Sequence, residues 1–252
     1  MQRLVSTIAI LAITGYVVIC IALYFYQRQL IYFPQPRANT NAPTLALPTD
    51  EGTTLVTVRE HQGTKALLFF GGNADDASGY LPQFSTSHPS HAIYLMHYRG
   101  YGGSSGAPTE NALFTDALSL FDLAYAKHKA VIVVGRSLGS GVAAYVASVR
   151  PVAKLILVTP YDSIERVAAG QFPWVPVSLL LKDKYESWRY APKITAPTLL
   201  VAAANDSLIP AKHTLALLDT FSKGVATMKT IANVDHNSIG SDTTYLALLA
   251  AF

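Results

Sequence analysis

Charge is scarce in this chain. Only 14% of its 252 residues are Asp, Glu, Lys or Arg, against about 25% in ordinary soluble domains. Cysteine is scarcer still. The single one, Cys20, lies in an apolar N-terminal run, so the rest of the chain has no disulfide, no thiol nucleophile and no cysteine-type structural zinc site. No cluster of Lys or Arg occurs and the net charge is only +3, which argues against nucleic acid as a partner. Internal repeats and low-complexity tracts are also missing. With half its residues hydrophobic, the chain is neither disordered, coiled-coil nor collagen-like.

One long hydrophobic run is present. From Leu4 to Tyr26 there are 23 residues without a charge, 19 of them hydrophobic. As a helix they would span about 34 Å, enough for a hydrocarbon core of about 30 Å. A cleaved signal peptide would have a shorter apolar region ending at a small-residue site. This run ends instead in Leu23-Tyr24-Phe25-Tyr26, aromatics suited to a membrane interface. Residues 1–28 therefore read as a retained single-pass anchor. Arg3 and the terminal amine stand on one side, Arg28 and Arg37 on the other. The short N-terminal tail favours a cytoplasmic N-terminus with the remaining chain outside. Deleting residues 1–26 removes only Arg3, so the anchor explains the mean hydropathy of +0.28 better than it explains the missing charge.

Residues 29–50, rich in Pro, Thr, Ala and Asn, read as a tether, and 51–252 as one domain with a substantial core. Short continuous apolar runs recur at Ala66–Phe70, Ala92–Met96, Ala130–Val134, Leu155–Val158 and Thr198–Ala202, as expected of strands covered on both faces. A final strand is expected at Ala226–Ile231, and helices at Ala112–Ala126 and Val142–Val149. Strand and helix in alternation predict an α/β class with a mostly parallel sheet and helices on both faces.

The run Ala130–Val134 leads into Gly135-Arg136-Ser137-Leu138-Gly139 and then a helix. A serine on such a turn needs neighbours without side chains, and the turn points its hydroxyl outward at a helix N-terminus. The serine needs a base and the base an orienter. Val234-Asp235-His236-Asn237 follows the last strand, and Asn205-Asp206-Ser207 follows the strand at Thr198. The order Ser137, Asp206, His236 suits a nucleophile–acid–base relay. Asp162 is the alternative acid and Asp235 a weaker one. After Ala66–Phe70 comes Gly71-Gly72-Asn73-Ala74, where small residues let backbone amides approach a substrate. The amides of Asn73 and Leu138 are assigned to an oxyanion hole.

These residues resemble the α/β-hydrolase superfamily, and within it the membrane-anchored Bem46-type serine hydrolases. The likeness runs through Leu30-Ile-Tyr-Phe-Pro34, Gly72-Asn-Ala74, Tyr98-Arg-Gly-Tyr-Gly102, Gly135-Arg-Ser-Leu-Gly-Ser140, Tyr161-Asp-Ser163 and the Asp206 and His236 loops. The family usually has His-Gly-Asn-Ala at the oxyanion loop. Gly71 stands here in place of that histidine, which puts loop rigidity in question. The resemblance implies ester, thioester or amide hydrolysis through an acyl-enzyme, without metal or cofactor. Tethering favours a small-molecule, lipid or acylated substrate. A peptidase of the same fold and a catalytically silent binding module are the competing classes.

Three features stand apart from this relay. The 164–197 insertion carries the apolar stretch Phe172–Leu181, which either lines an acyl pocket, touches the bilayer or packs on the sheet edge. Arg136 reads as a surface charge, with a substrate anion as the other option. His88 and His91 have metal-compatible spacing, but Pro89 and the lack of nearby carboxylates favour surface residues.

Overall fold

The continuous apolar runs become the centre of one sheet. In the computed structural model, which describes residues 1–252, the strands are β1 (Thr44–Thr49), β2 (Gly52–Arg59), β3 (Lys65–Phe70), β4 (Ala92–Met96), β5 (Ala130–Arg136), β6 (Lys154–Val158), β7 (Thr198–Ala203) and β8 (Ala226–Ile231). Their order is β1-β2-β4-β3-β5-β6-β7-β8. The β1–β2 and β2–β4 pairs are antiparallel and all others parallel. The helices are α1 (Gln2–Ile31), α2 (Leu81–Ser87), α3 (Glu110–Lys127), α4 (Leu138–Val149), α5 (Ile164–Gln171), α6 (Val177–Leu180), α7 (Ser187–Tyr190), α8 (Ala211–Leu218) and α9 (Thr243–Ala251).

Side chains along a strand alternate between faces, and here both faces are buried. Leu68, Phe70, Val133, Leu155, Leu157 and Leu200 pack with α3 and α4. Their neighbours Leu67, Phe69, Val134, Ile156 and Val201 pack on the other side, with Phe84 of α2 and Leu249 of α9. That is why these strands carry no polar alternation.

The anchor and tether boundaries look different in three dimensions. Helix α1 continues to Ile31, at 30 residues about 45 Å long, and β1 lies within the stretch expected to be a tether. Its first two-thirds expose Leu4, Ile8, Leu11 and Val18 on every side, and by length and composition the helix is a candidate membrane span. Gln27 is its one buried residue. Gln27 Nε2 donates to the Leu180 carbonyl (2.9 Å), and its Oε1 accepts Lys182 N–H (2.6 Å). The next residue, Arg28, pairs with Asp183 at 2.9 Å, and Tyr32 hydrogen-bonds both Asp183 and Tyr185. The end of α1 is thus fastened to the insertion.

Strand β2 hides polar residues that sequence patterning does not reveal. Thr54 donates to Asp116 (2.8 Å), and Thr57 Oγ1 lies 2.8 Å from His97 Nε2. Burial pushes His97 down to about 4, with nearby Asp76 opposing that shift. The unfolded chain therefore binds a proton below about 6.5 that the folded chain refuses until about 4. Stability is expected to fall as pH drops through that window. His91, also pushed down to about 4 by burial, adds to the fall. The urea midpoint of detergent-solubilised protein should be lower at pH 5 than at pH 7, and His97→Gln should shrink the difference.

Candidate active site

Four loops at the carboxyl ends of parallel strands converge. They follow β3, β5, β7 and β8, and carry Asn73, Ser137, Asp206 and His236 respectively. Open α/β sheets place their binding crevice at this edge.

Ser137 sits between β5 and α4 with φ 50° and ψ −119°, a left-handed conformation that costs energy for a residue with a Cβ. Its neighbours make the turn possible. A Cβ on Gly139 would collide with the Phe70 carbonyl oxygen, and one on Gly135 with the Gly139 carbonyl oxygen. Ser137 is also the N-cap residue of α4, yet its side chain makes no cap bond. Forgoing a cap costs about 1 kcal/mol. The hydroxyl instead lies 2.8 Å from His236 Nε2.

His236 Nδ1 is 2.8 Å from Asp206 Oδ2. The other oxygen of Asp206 accepts the N–H groups of Leu208 (2.9 Å) and Ile209 (2.7 Å). The carboxylate is locked by its own loop and presents one oxygen to the imidazole. An aspartate here selects the tautomer with hydrogen on Nδ1, leaving Nε2 free to accept from the serine. Asp162 is engaged elsewhere. It holds His213 Nδ1 (2.8 Å), Ser163 N–H and Arg166, away from His236. Asp235 closes a turn on Asn237 and Ser238. Of the three carboxylates considered, Asp206 is the one beside the imidazole.

Asn73 N–H donates to no protein group, and Leu138 N–H, at the first position of α4, has no intrahelical acceptor by helix geometry. The Asn73 loop is held from several sides. Tyr98 OH donates to the Gly71 carbonyl (2.7 Å) and Tyr101 OH to the Asn73 carbonyl (2.6 Å). Asn73 Nδ2 donates to the Ile31 carbonyl (2.9 Å), while Phe33 N–H donates to the Asn73 carbonyl (3.0 Å). These bonds give the loop order despite the glycine at position 71, and they explain why Tyr98-Arg-Gly-Tyr101 follows β4.

Arg136 overturns its expectation as a surface charge. It is 7% exposed and grips both oxygens of Asp75 (2.8 and 2.9 Å) while donating to the His236 carbonyl (2.9 Å). Burial alone would lower its guanidinium, but Asp75 and Tyr80 hold it above the usual value. Asp75 in turn accepts Gly72 N–H (2.6 Å). One buried ion pair thus ties the loop after β3 to the loop that carries His236. The only sequence hint was an arginine at the end of an otherwise apolar strand. Arg136→Met would leave Asp75 uncompensated, which costs about 3–5 kcal/mol. It should also free His236, lowering kcat about 100-fold. Thermal unfolding and kinetics of the purified variant would test both.

A cavity of about 820 Å³ opens above Ser137. Val167, Phe172, Trp174 and Leu180 of the insertion form one side, and Leu23, Leu30 and Ile31 of α1 another. No three His, Cys, Asp or Glu side chains gather as a metal-ligating group. His88 and His91 meet edge-on at 5.0 Å between ring centroids, and His88 is buried, not the surface residue its sequence context suggested.

Comparison with known proteins gives one consistent result. A family profile described as alpha/beta hydrolase fold matches residues 65–184. An uncharacterized protein of Mycobacterium tuberculosis strain H37Rv is 32% identical over 225 residues, covering 83% of this chain and 80% of its own. Human alpha/beta hydrolase domain-containing protein 17B is 31% identical over 193 residues, 74% of this chain and 65% of the human one. Among solved structures, an alpha/beta hydrolase enzyme from a deep-sea metagenome superposes with a TM-score of 0.67 at 15% identity, covering 82% of this chain and 96% of its own.

Proposed function

Because this chain belongs to the α/β-hydrolase superfamily, we propose that it is a membrane-anchored serine hydrolase that cleaves acyl esters or thioesters with Ser137, His236 and Asp206. The observation that carries this reading is the unbroken relay from Asp206 Oδ2 through His236 to Ser137 Oγ, 2.8 Å at each link.

In the scheme, Ser137 Oγ attacks the acyl carbonyl as His236 Nε2 takes the hydroxyl proton. Asp206 holds the imidazole and stabilises its cationic form. The developing oxyanion is received by the amides of Asn73 and Leu138, one of which comes from an N–H with no other acceptor. The tetrahedral intermediate collapses when His236 returns the proton to the leaving alcohol or thiol. A water molecule, deprotonated by the same nitrogen, then releases the acid and regenerates Ser137. Every proton is handled by the chain's own groups.

Anchoring is supported by α1. A helix about 45 Å long whose first two-thirds expose apolar residues on all sides is more stable in lipid than in water. The exposed ring of Tyr24, Phe25 and Tyr26 suits the membrane interface.

The test is labelling by a fluorophosphonate, which reacts with an activated serine. Detergent-solubilised wild-type protein should label and Ser137→Ala should not. A folded wild-type sample that stays unlabelled would sink the hydrolase reading.

A further inference from the structure

The cavity above Ser137 is not enclosed by the hydrolase domain alone. One wall is α1, the same helix that crosses the membrane in the reading above. Its residues Leu23, Gln27, Leu30 and Ile31 line the cavity. They fall at helical spacing on one face, and Gln27 pins that face to the insertion. Leu23 lies inside the uncharged run Leu4–Tyr26, so this wall begins within the apolar part of the helix.

A second observation sets the depth of the opposite wall. Tyr16 OH donates to the Trp174 carbonyl at 2.9 Å. Tyr16 is two turns closer to the N-terminus than Tyr24, or about 12 Å along the axis. The tip of the insertion therefore descends beside α1 below the aromatic ring of Tyr24, Phe25 and Tyr26. Phe172 and Trp174 at this tip are 48% and 56% exposed. Apolar side chains this open, at this depth, face lipid.

We infer that α1 and the Phe172–Leu181 stretch form a port through which a long linear acyl chain of a bilayer-resident ester or thioester passes directly from the membrane to Ser137. The inference rests on the hydrolase reading of Ser137 and specifies its substrate class. The cavity's volume is near the top of the range of about 300–1,000 Å³ for ligand pockets, and most of its lining is hydrophobic. Each methylene buried in such a site raises binding about fourfold. The carboxyl carbon would stop at the Ser137 hydroxyl, where the polar groups of the lining gather, namely Asn73, Arg136, His236 and Asn237. The chain's tail would remain between α1 and the insertion.

Two measurements on the full chain in phosphatidylcholine vesicles test the port. Leu23→Trp places bulk in the α1 wall. The ratio of kcat/KM for p-nitrophenyl dodecanoate to that for p-nitrophenyl acetate should fall at least fivefold from wild type, and a smaller change overturns the inference. The chain has two tryptophans, so Trp188→Phe leaves Trp174 as the only one. Its fluorescence should be quenched in vesicles of phosphatidylcholine brominated toward the middle of its acyl chains, the depth of Tyr16; unquenched emission overturns the inference whether or not Leu23→Trp folds. Fluorophosphonate labelling run alongside separates the two claims. A labelled protein with an unchanged ratio or unquenched Trp174 loses the port and keeps the hydrolase, whereas an unlabelled wild type loses both.

Discussion

Ser137→Ala is expected to lower kcat on an activated ester by about six orders of magnitude. The reason is that one atom serves two linked steps. In the proposed scheme Ser137 Oγ forms the acyl-enzyme, and its proton is the one that His236 carries. His236→Ala should cost about the same, and the double variant little more, because each change disables the same unit. What survives should be about 10³–10⁴ over the uncatalysed rate, supplied by the oxyanion amides and binding alone. Steady-state rates of the two single variants and the double variant would check this. Additive losses would show that serine and histidine do not act together.

Asp206→Asn is expected to lower kcat by about 10⁴ with little structural change. The amide can still accept Leu208 and Ile209 N–H through its oxygen, so the loop should keep its shape. Its NH2 group would then face His236 Nδ1. That favours the imidazole tautomer with hydrogen on Nε2, which cannot take the Ser137 proton. Asp162→Asn provides the contrast. Asp162 is buried against His213 and Arg166, so its loss should appear as about 1–3 kcal/mol of stability, with far less change in rate. Comparing kcat and thermal midpoints of the two variants decides the assignment. An unimpaired Asp206→Asn enzyme would remove Asp206 from the relay.

The central parallel strands were legible because burial on both faces leaves them uniformly apolar, whereas β8 is a half-exposed edge. Runs such as Ala130–Val134 and Leu155–Val158 could hardly be anything else in alternation with helices. Strands β1 and β2 escaped notice for an equally physical reason. Thr44-Leu-Ala-Leu-Pro-Thr49 is a half-exposed edge containing a proline, and β2 buries Thr54 and Thr57 by hydrogen-bonding them to Asp116 and His97. Apolarity does not register such satisfied polar positions. The elements of the proposed relay were legible in chain order, since Ser137 and Asp206 each follow an apolar strand and His236 follows the last expected one. Arg136 was not, because the partner that permits its burial, Asp75, lies 61 residues away. Neither was the role of α1 beyond its length, because the partners that fasten Gln27, Arg28 and Tyr32 lie more than 150 residues away.

The two bonds between the end of α1 and the Asn73 loop have a mechanical consequence. Ile31 accepts from the Asn73 side chain and Phe33 donates to the Asn73 carbonyl, so no slack chain separates the end of α1 from the proposed oxyanion donor. If the helix tilts, slides or is cut away, the loop must either travel with it or lose those bonds. A soluble fragment beginning after residue 33 would start with a loosened loop. A thinner or thicker bilayer, by re-tilting the helix, would act on the catalytic geometry like a lever with its short arm at Asn73.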